Sequence, residues 1–167
     1  FAEPLRNNIS YDDPERTLEL VWGSAESAAL KETILEFPEQ LDTLVGERGV
    51  TLSGGQKQRT TLARGFIRDA PVLILDDCFS SVDTETEEHI LSRLKSLRDD
   101  RTTILVSHRV STLRHSDRII VMDEGSIAES GTHEELLALD GLYAELERLQ
   151  TPGADSDRSQ DMELSPV

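Results

Sequence analysis

The sequence predicts an α/β fold: a mostly parallel sheet preceded in the chain by a helical stretch. Three observations predict it. Val72-Leu73-Ile74-Leu75 is an unbroken apolar run behind Pro71, ending in the carboxylate pair Asp76-Asp77. Such a run reads as a strand buried on both faces, the habit of parallel sheets. Thr103-Ile104-Leu105-Val106 reads as another buried strand, and Ser107-His108-Arg109 follows it. Between the two, Ile90, Leu91, Leu94 and Leu97 recur at helical spacing, an apolar stripe facing a core.

The elements follow in order. Residues 13–50 read as helical, with Asp13 capping and Pro14 at the first helical position. A second helical piece, about Glu26 to Glu36, ends before Pro38. Ser53-Gly54-Gly55 opens a helix expected from Gln56 to about Asp69; serine and glycine suit an N-cap. After the first strand, Asp83 or Thr84 caps the helix that reaches about Leu97. Residues 118–123 and 126–130 read as strands joined at Glu124-Gly125, with turn chemistry in Asp123-Glu124-Gly125. Glu134 to Leu139 and Leu142 to Leu149 read as closing helices, and Thr151 to Val167 as a disordered tail rich in Pro, Gly, Ser and Asp.

Two places carry candidate chemistry. Free N–H groups at a helix start attract anions, and glycines there let backbone approach a ligand, so Ser53-Gly54-Gly55 is a candidate phosphate-binding element. A plain capped helix start is the alternative for that tripeptide alone. Asp76 and Asp77 sit at the C-terminal end of a strand, the edge where open α/β sheets place ligands. A strand-end aspartate holds Mg²⁺ in P-loop nucleotide hydrolases; an Asp pair that merely opens a loop is the bland alternative.

Order and spacing together resemble the nucleotide-binding domain of ATP-binding cassette (ABC) transporters, over about residues 1 to 150. Leu52, Ser53, Gly54, Gly55 and Gln56 match the family's signature motif, Val72 to Asp76 match Walker B, Ser80-Ser81-Val82-Asp83 resemble the D-loop, and His108 matches the switch histidine. The resemblance implies a P-loop NTPase (RecA-like) core with ATP and Mg²⁺ as ligands. Its parts would be a segment following the Q-loop (1–12), a helical subdomain with X-loop and signature (13–69), the RecA-like core (70–131), C-terminal helices (132–150) and the acidic tail (151–167). By the same resemblance Asp76 helps hold Mg²⁺, Asp77 is the base, His108 meets the γ-phosphate and orients the water, and Asp83 couples two sites across a dimer. Leu52 to Gln56 would serve ATP held by a second ABC subunit.

No G-x-x-x-x-G-K-[ST] run occurs, and Gly46 to Gly49 do not fit one. Phe1 to Ile9 resemble the text that follows the Q-loop glutamine. The expectation is a fold incomplete at the N-terminus, with a transmembrane domain and the P-loop upstream in a longer polypeptide. The strands at 102–106 and 118–123 would then lack the neighbour that lies between them in related folds.

Gly46-Glu47-Arg48-Gly49 resembles the X-loop of exporter-type ABC proteins, where Glu47 and Arg48 would face the membrane domain. A charged turn between glycines is the alternative. Leu41-Asp42-Thr43 also fits the exporter pattern. Asp77 stands where the family usually has the glutamate that polarises the attacking water. Its carboxylate is withdrawn by about 1.5 Å, and a misplacement of about 1 Å can cost on the order of 100-fold in rate. The reading is therefore the degenerate-site subunit of a heterodimeric exporter at the plasma membrane, with this domain on the cytoplasmic side. Alternatives are a homodimer with Asp77 as a slow base, a regulatory module that holds ATP uncut, and a soluble ABC ATPase.

Composition agrees. The formal charge of −16 opposes a nucleic-acid footprint, which needs basic clusters. No run approaches eighteen apolar residues, no signal-peptide pattern is visible, and one cysteine, Cys78, allows no intramolecular disulfide. Cys78 reads as a small buried residue, with a reactive thiol as the alternative.

Overall fold

The computed structural model describes residues 2–46, 49–96 and 101–151. Those residues form two compact units, parted between Val106 and Ser107.

The first unit begins with α1 (Leu5–Ile9), α2 (Leu18–Ser27) and α3 (Lys31–Leu35), then a single 3₁₀ turn at Gln40–Asp42. The expected start at Asp13-Pro14 is corrected. Asp13 instead accepts the Glu15 amide at 3.1 Å, a local turn, while Arg16 is drawn to Asp12 and to the Ile67 carbonyl. Thr17 is the true N-cap, its hydroxyl accepting from the Leu20 amide. The helical piece expected from Glu26 is split, because Ala29 adopts φ 52° and the Leu30 amide closes on the Ala25 carbonyl. Arg59 reinforces the break by donating to the Ala29 carbonyl at 2.5 Å.

Helix α4 (Gly54–Phe66) starts two residues before the expected Gln56 and stops short of Asp69, so both glycines lie in its first turn. Leu62, Ala63 and Phe66 point into a core shared with Leu5, Ile9, Val21, Ala25 and Ile34. Each fully buried Leu or Ile there contributes about 1.5–3 kcal/mol.

Strand β1 (Val72–Asp76) pairs in parallel with β2 (Thr102–Val106), placing Asp76 opposite Val106. Helix α5 (Thr84–Ser96) connects them and buries Ile90, Leu91 and Leu94 as the stripe requires; Leu97 lies outside the described residues. Burial of the strands on both faces is corrected. Leu75 is buried, but Ile74 is 64% exposed and Ile104 46%. Side chains alternate across a sheet, so these residues mark its more open face. β2 pairs only with β1 among the described strands.

The second unit holds α6 (Val110–Leu113), the antiparallel hairpin of β3 (Ile119–Asp123) and β4 (Ser126–Gly131), and helices α7 (His133–Leu139) and α8 (Leu142–Gln150). The hairpin turns at Glu124-Gly125, both with positive φ (45° and 78°), the twist that suits a two-residue turn. Val110, Ile119, Leu136 and Tyr143 form its core. The acidic tail beyond Thr151 and its expected disorder lie outside the described residues.

Candidate functional site

The start of α4 is a reciprocal cap. The Ser53 hydroxyl accepts the Gln56 amide at 3.2 Å, and the Gln56 side-chain oxygen accepts the Ser53 amide at 2.9 Å. A serine oxygen in that role keeps its own proton to donate. Gly54 and Gly55 occupy the first two helical positions, and their amides find no acceptor among the described residues. The first turn holds no acidic residue, so the partial positive charge of the helix end is left for an outside anion.

The carboxylates come from the end of β1. Asp76 closes the strand; Asp77 follows with φ 44°, its amide donating to the Val106 carbonyl at 2.9 Å. The left-handed region is one that Asp enters more readily than most residues. Both aspartates are exposed. Beyond them Cys78 is half-buried, while Phe79 and Val82 plug the loop into the core. Asp83 then caps α5, accepting the Thr86 amide at 2.9 Å, and that bond holds its carboxyl below the ordinary value.

Burial pushes the Cys78 thiol up from 9.0 to about 12, with smaller help from Glu87, Asp77 and Asp76. Cys78 packs against the core of the first unit, and a thiol held protonated there is a poor nucleophile. Alkylation of its peptide at pH 8 should run on the order of a thousandfold slower in the folded protein than after denaturation; equal rates would contradict this. Because the folded thiol titrates above the unfolded one, its contribution to stability is complete below pH 9 and is lost as pH rises from there towards 12.

The two pieces meet. A Cβ placed on Gly55 would lie 2.8 Å from the Ser81 carbonyl oxygen, and one on Gly54 would lie 3.6 Å from the Ser81 side chain. Gly55 is therefore required by the chain's own loop, not only by a ligand. Gln58, one helical turn on from Gly54, donates to the Ser80 hydroxyl at 2.7 Å and accepts the Ser81 amide at 2.8 Å. Sequence reading missed Gln58, since the pairing spans more than twenty residues.

Of the other predicted residues, Leu52 is buried beneath the cap. It also lines a cleft of about 400 Å³ on another side of α4, with Lys57, Thr60 and Arg64; no other predicted site residue lines it. His108 belongs to the second unit. Its carbonyl accepts from the Gln150 amide at 2.6 Å, and Gln150 also accepts from the Val110 amide at 2.9 Å. Gln150 is a second residue that sequence reading missed. Glu47 and Arg48 lie outside the described residues.

For Mg²⁺, no cluster of three or more His, Cys, Asp or Glu occurs among the described residues. Mg²⁺ at nucleotide sites needs only one or two carboxylates besides the phosphates. The exposed Asp76 at the strand end suits that lesser requirement.

Comparison with known proteins identifies this arrangement. The family model described as "ABC transporter" matches residues 5–80. A multidrug-export ATP-binding/permease protein of Bacillus subtilis (strain 168) is 47% identical over 150 residues, which are 90% of this chain and 26% of that protein. The ATP-dependent lipid A-core flippase of Shewanella sp. (strain MR-4) is 49% identical over 151 residues, again 90% of this chain and 25% of the relative. A bacterial Atm1-family ABC exporter solved with ATP bound superposes with a TM-score of 0.84 at 41% identity, covering 92% of this chain and 27% of that one. The chain spans about a quarter of the length of these relatives.

Proposed function

The chain belongs to the ABC transporter family, and from that premise we propose that it is the signature-bearing part of an ATPase domain that drives an exporter. Its ATP hydrolysis powers transport across a membrane, with this domain on the cytoplasmic side and a transmembrane domain in the same polypeptide. Two ABC subunits close over ATP. Ser53, Gly54 and Gly55 serve the nucleotide held by the second subunit; Leu52 and Gln56 hold the signature in shape. Asp76 serves Mg²⁺, Asp77 is the base and His108 the γ-phosphate contact in this subunit's own site. Asp83 reaches across the interface, and Glu47 and Arg48 face the membrane domain. Export, as opposed to import, is supported by the X-loop resemblance and by relatives whose names denote export and flipping.

The observation that carries this reading is the capped start of α4: two glycine amides without an acceptor among the described residues and a hydroxyl with its proton to spare. Nothing acidic in the first turn competes for that position. In the full-length transporter, Ser53→Ala should lower ATP turnover on the order of 100-fold through the lost γ-phosphate donor. It should cost about 1 kcal/mol of stability through the lost cap. Turnover equal to wild type would refute the assignment, whatever happened to stability. The finer reading is that Asp77 makes this the slow site of a heterodimer. It rests on one shortened side chain and is tested below.

A further inference from the structure

We propose that Gln58 is a positioning residue that ties the start of α4 to the loop carrying Ser80, Ser81 and Asp83, so that nucleotide engaging Ser53 and Gly55 also sets that loop. The proposal rests on the reading of α4 as the contact to the partner's ATP.

Three contacts on one face of α4 carry it. Gly54 and Gln58 are four residues apart, neighbours on the helix surface, and Gly55 adjoins them. The Ser81 carbonyl lies where only a glycine at 55 leaves room. Gln58 uses both ends of its amide on the same loop, giving a proton to Ser80 and taking one from the Ser81 backbone. A backbone N–H can only donate, so the oxygen of Gln58 must face Ser81, and the orientation of the amide is fixed.

The loop is in turn tied at both ends. The Ser80 hydroxyl reaches the Asp77 carbonyl at 3.4 Å, and the Asp77 amide is bonded to the end of β2. At the other end Val82 is buried and Asp83 is held on the first turn of α5. A shift of the α4 start therefore reaches Ser81 directly. From there it passes back to the strand-end carboxylates and forward to Asp83. A phosphate bound at one subunit's signature would by this route adjust the base in that same subunit's own site.

The test is amide hydrogen exchange on the full-length transporter, with and without a non-hydrolysable ATP analogue, alongside steady-state turnover. In the wild type, nucleotide should slow exchange at residues 54–57 and at 81–83 together. In Gln58→Leu, residues 54–57 should still respond and 81–83 should not. Turnover should fall about tenfold, as expected for two lost hydrogen bonds, with the KM for ATP nearly unchanged. Gln58→Glu should restore the response at 81–83, since its carboxylate still accepts the Ser81 amide, although the single Ser80 proton must leave the Asp77 carbonyl to reach it. Ser80→Ala removes one of the two bonds and serves if Gln58→Leu does not fold; its response at 81–83 should be weakened. A response at 81–83 that persists in both variants overturns the proposal. Absence of protection at 54–57 in the wild type overturns the reading of the signature itself, a separate failure.

Discussion

Replacing Gly55 with alanine should cut ATP turnover of the full-length transporter on the order of 100-fold, while Gly54→Ala should leave the chain's own packing intact. A methyl at position 55 would stand 2.8 Å from the Ser81 carbonyl oxygen, a backbone atom with no rotamer to change. Ordinary van der Waals contact demands a retreat of roughly half an ångström or more. The loop has little slack for it, because Phe79 and Val82 are buried and Asp83 is committed to α5. The retreat falls on Ser81 and Asp83, or on the helix start that offers its amides to phosphate. Either displaces a catalytic part by a distance to which rates are steeply sensitive. At position 54 the methyl would meet Ser81 at 3.6 Å, an ordinary contact. Any loss of activity in Gly54→Ala would then measure room taken by the nucleotide. Comparing kcat for the two variants, with thermal unfolding as a control, separates the causes. Near-normal turnover in Gly55→Ala would show that the close approach to Ser81 is dispensable.

Gly55 shows how far the sequence is legible. Its presence before a helix marked a backbone approach, and a phosphate was the natural candidate. The structure adds an intramolecular partner, because the position of Ser81 depends on how β1, its loop and α5 pack, which no local pattern encodes. The same division holds elsewhere. The stripe Ile90, Leu91, Leu94 announced α5, and the Glu124-Gly125 turn announced the hairpin, since periodicity and turn chemistry act within a few residues. The strands were legible as strands but not in their exposure: an apolar run states a preference for burial, not what does the burying, and Ile74 and Ile104 stay largely exposed among the described residues. Asp13-Pro14 carried a sound start signal that lost to tertiary bonds made by Arg16. Gln58 and Gln150 were invisible, since an amide bonding across a fold has no spacing to betray it.

Asp77→Glu should raise turnover at this subunit's own site on the order of tenfold or more while lowering stability. The gain follows from reach: one added methylene returns the carboxylate to the place from which the family's glutamate polarises water. The loss follows from the backbone. Asp77 sits at φ 44°, held there by its amide bond to Val106 and by the loop that must turn from β1 to Phe79. Aspartate tolerates that conformation better than glutamate, for which it costs about 1 kcal/mol more at most, a fall in melting temperature of about 2–4 °C. The two effects have opposite signs, which makes the experiment informative. Turnover should be measured with hydrolysis at the companion site blocked, so that a fast partner does not mask the change. A faster but less stable variant would support Asp77 as a shortened base set in a strained turn, the composition expected of a site that holds ATP longer than it cuts it. An unchanged rate would mean that the base is not limiting here, and the slow-site reading would fall with it. A rise in stability would contradict the backbone argument independently of the kinetics, because no gain in reach can relieve a left-handed turn.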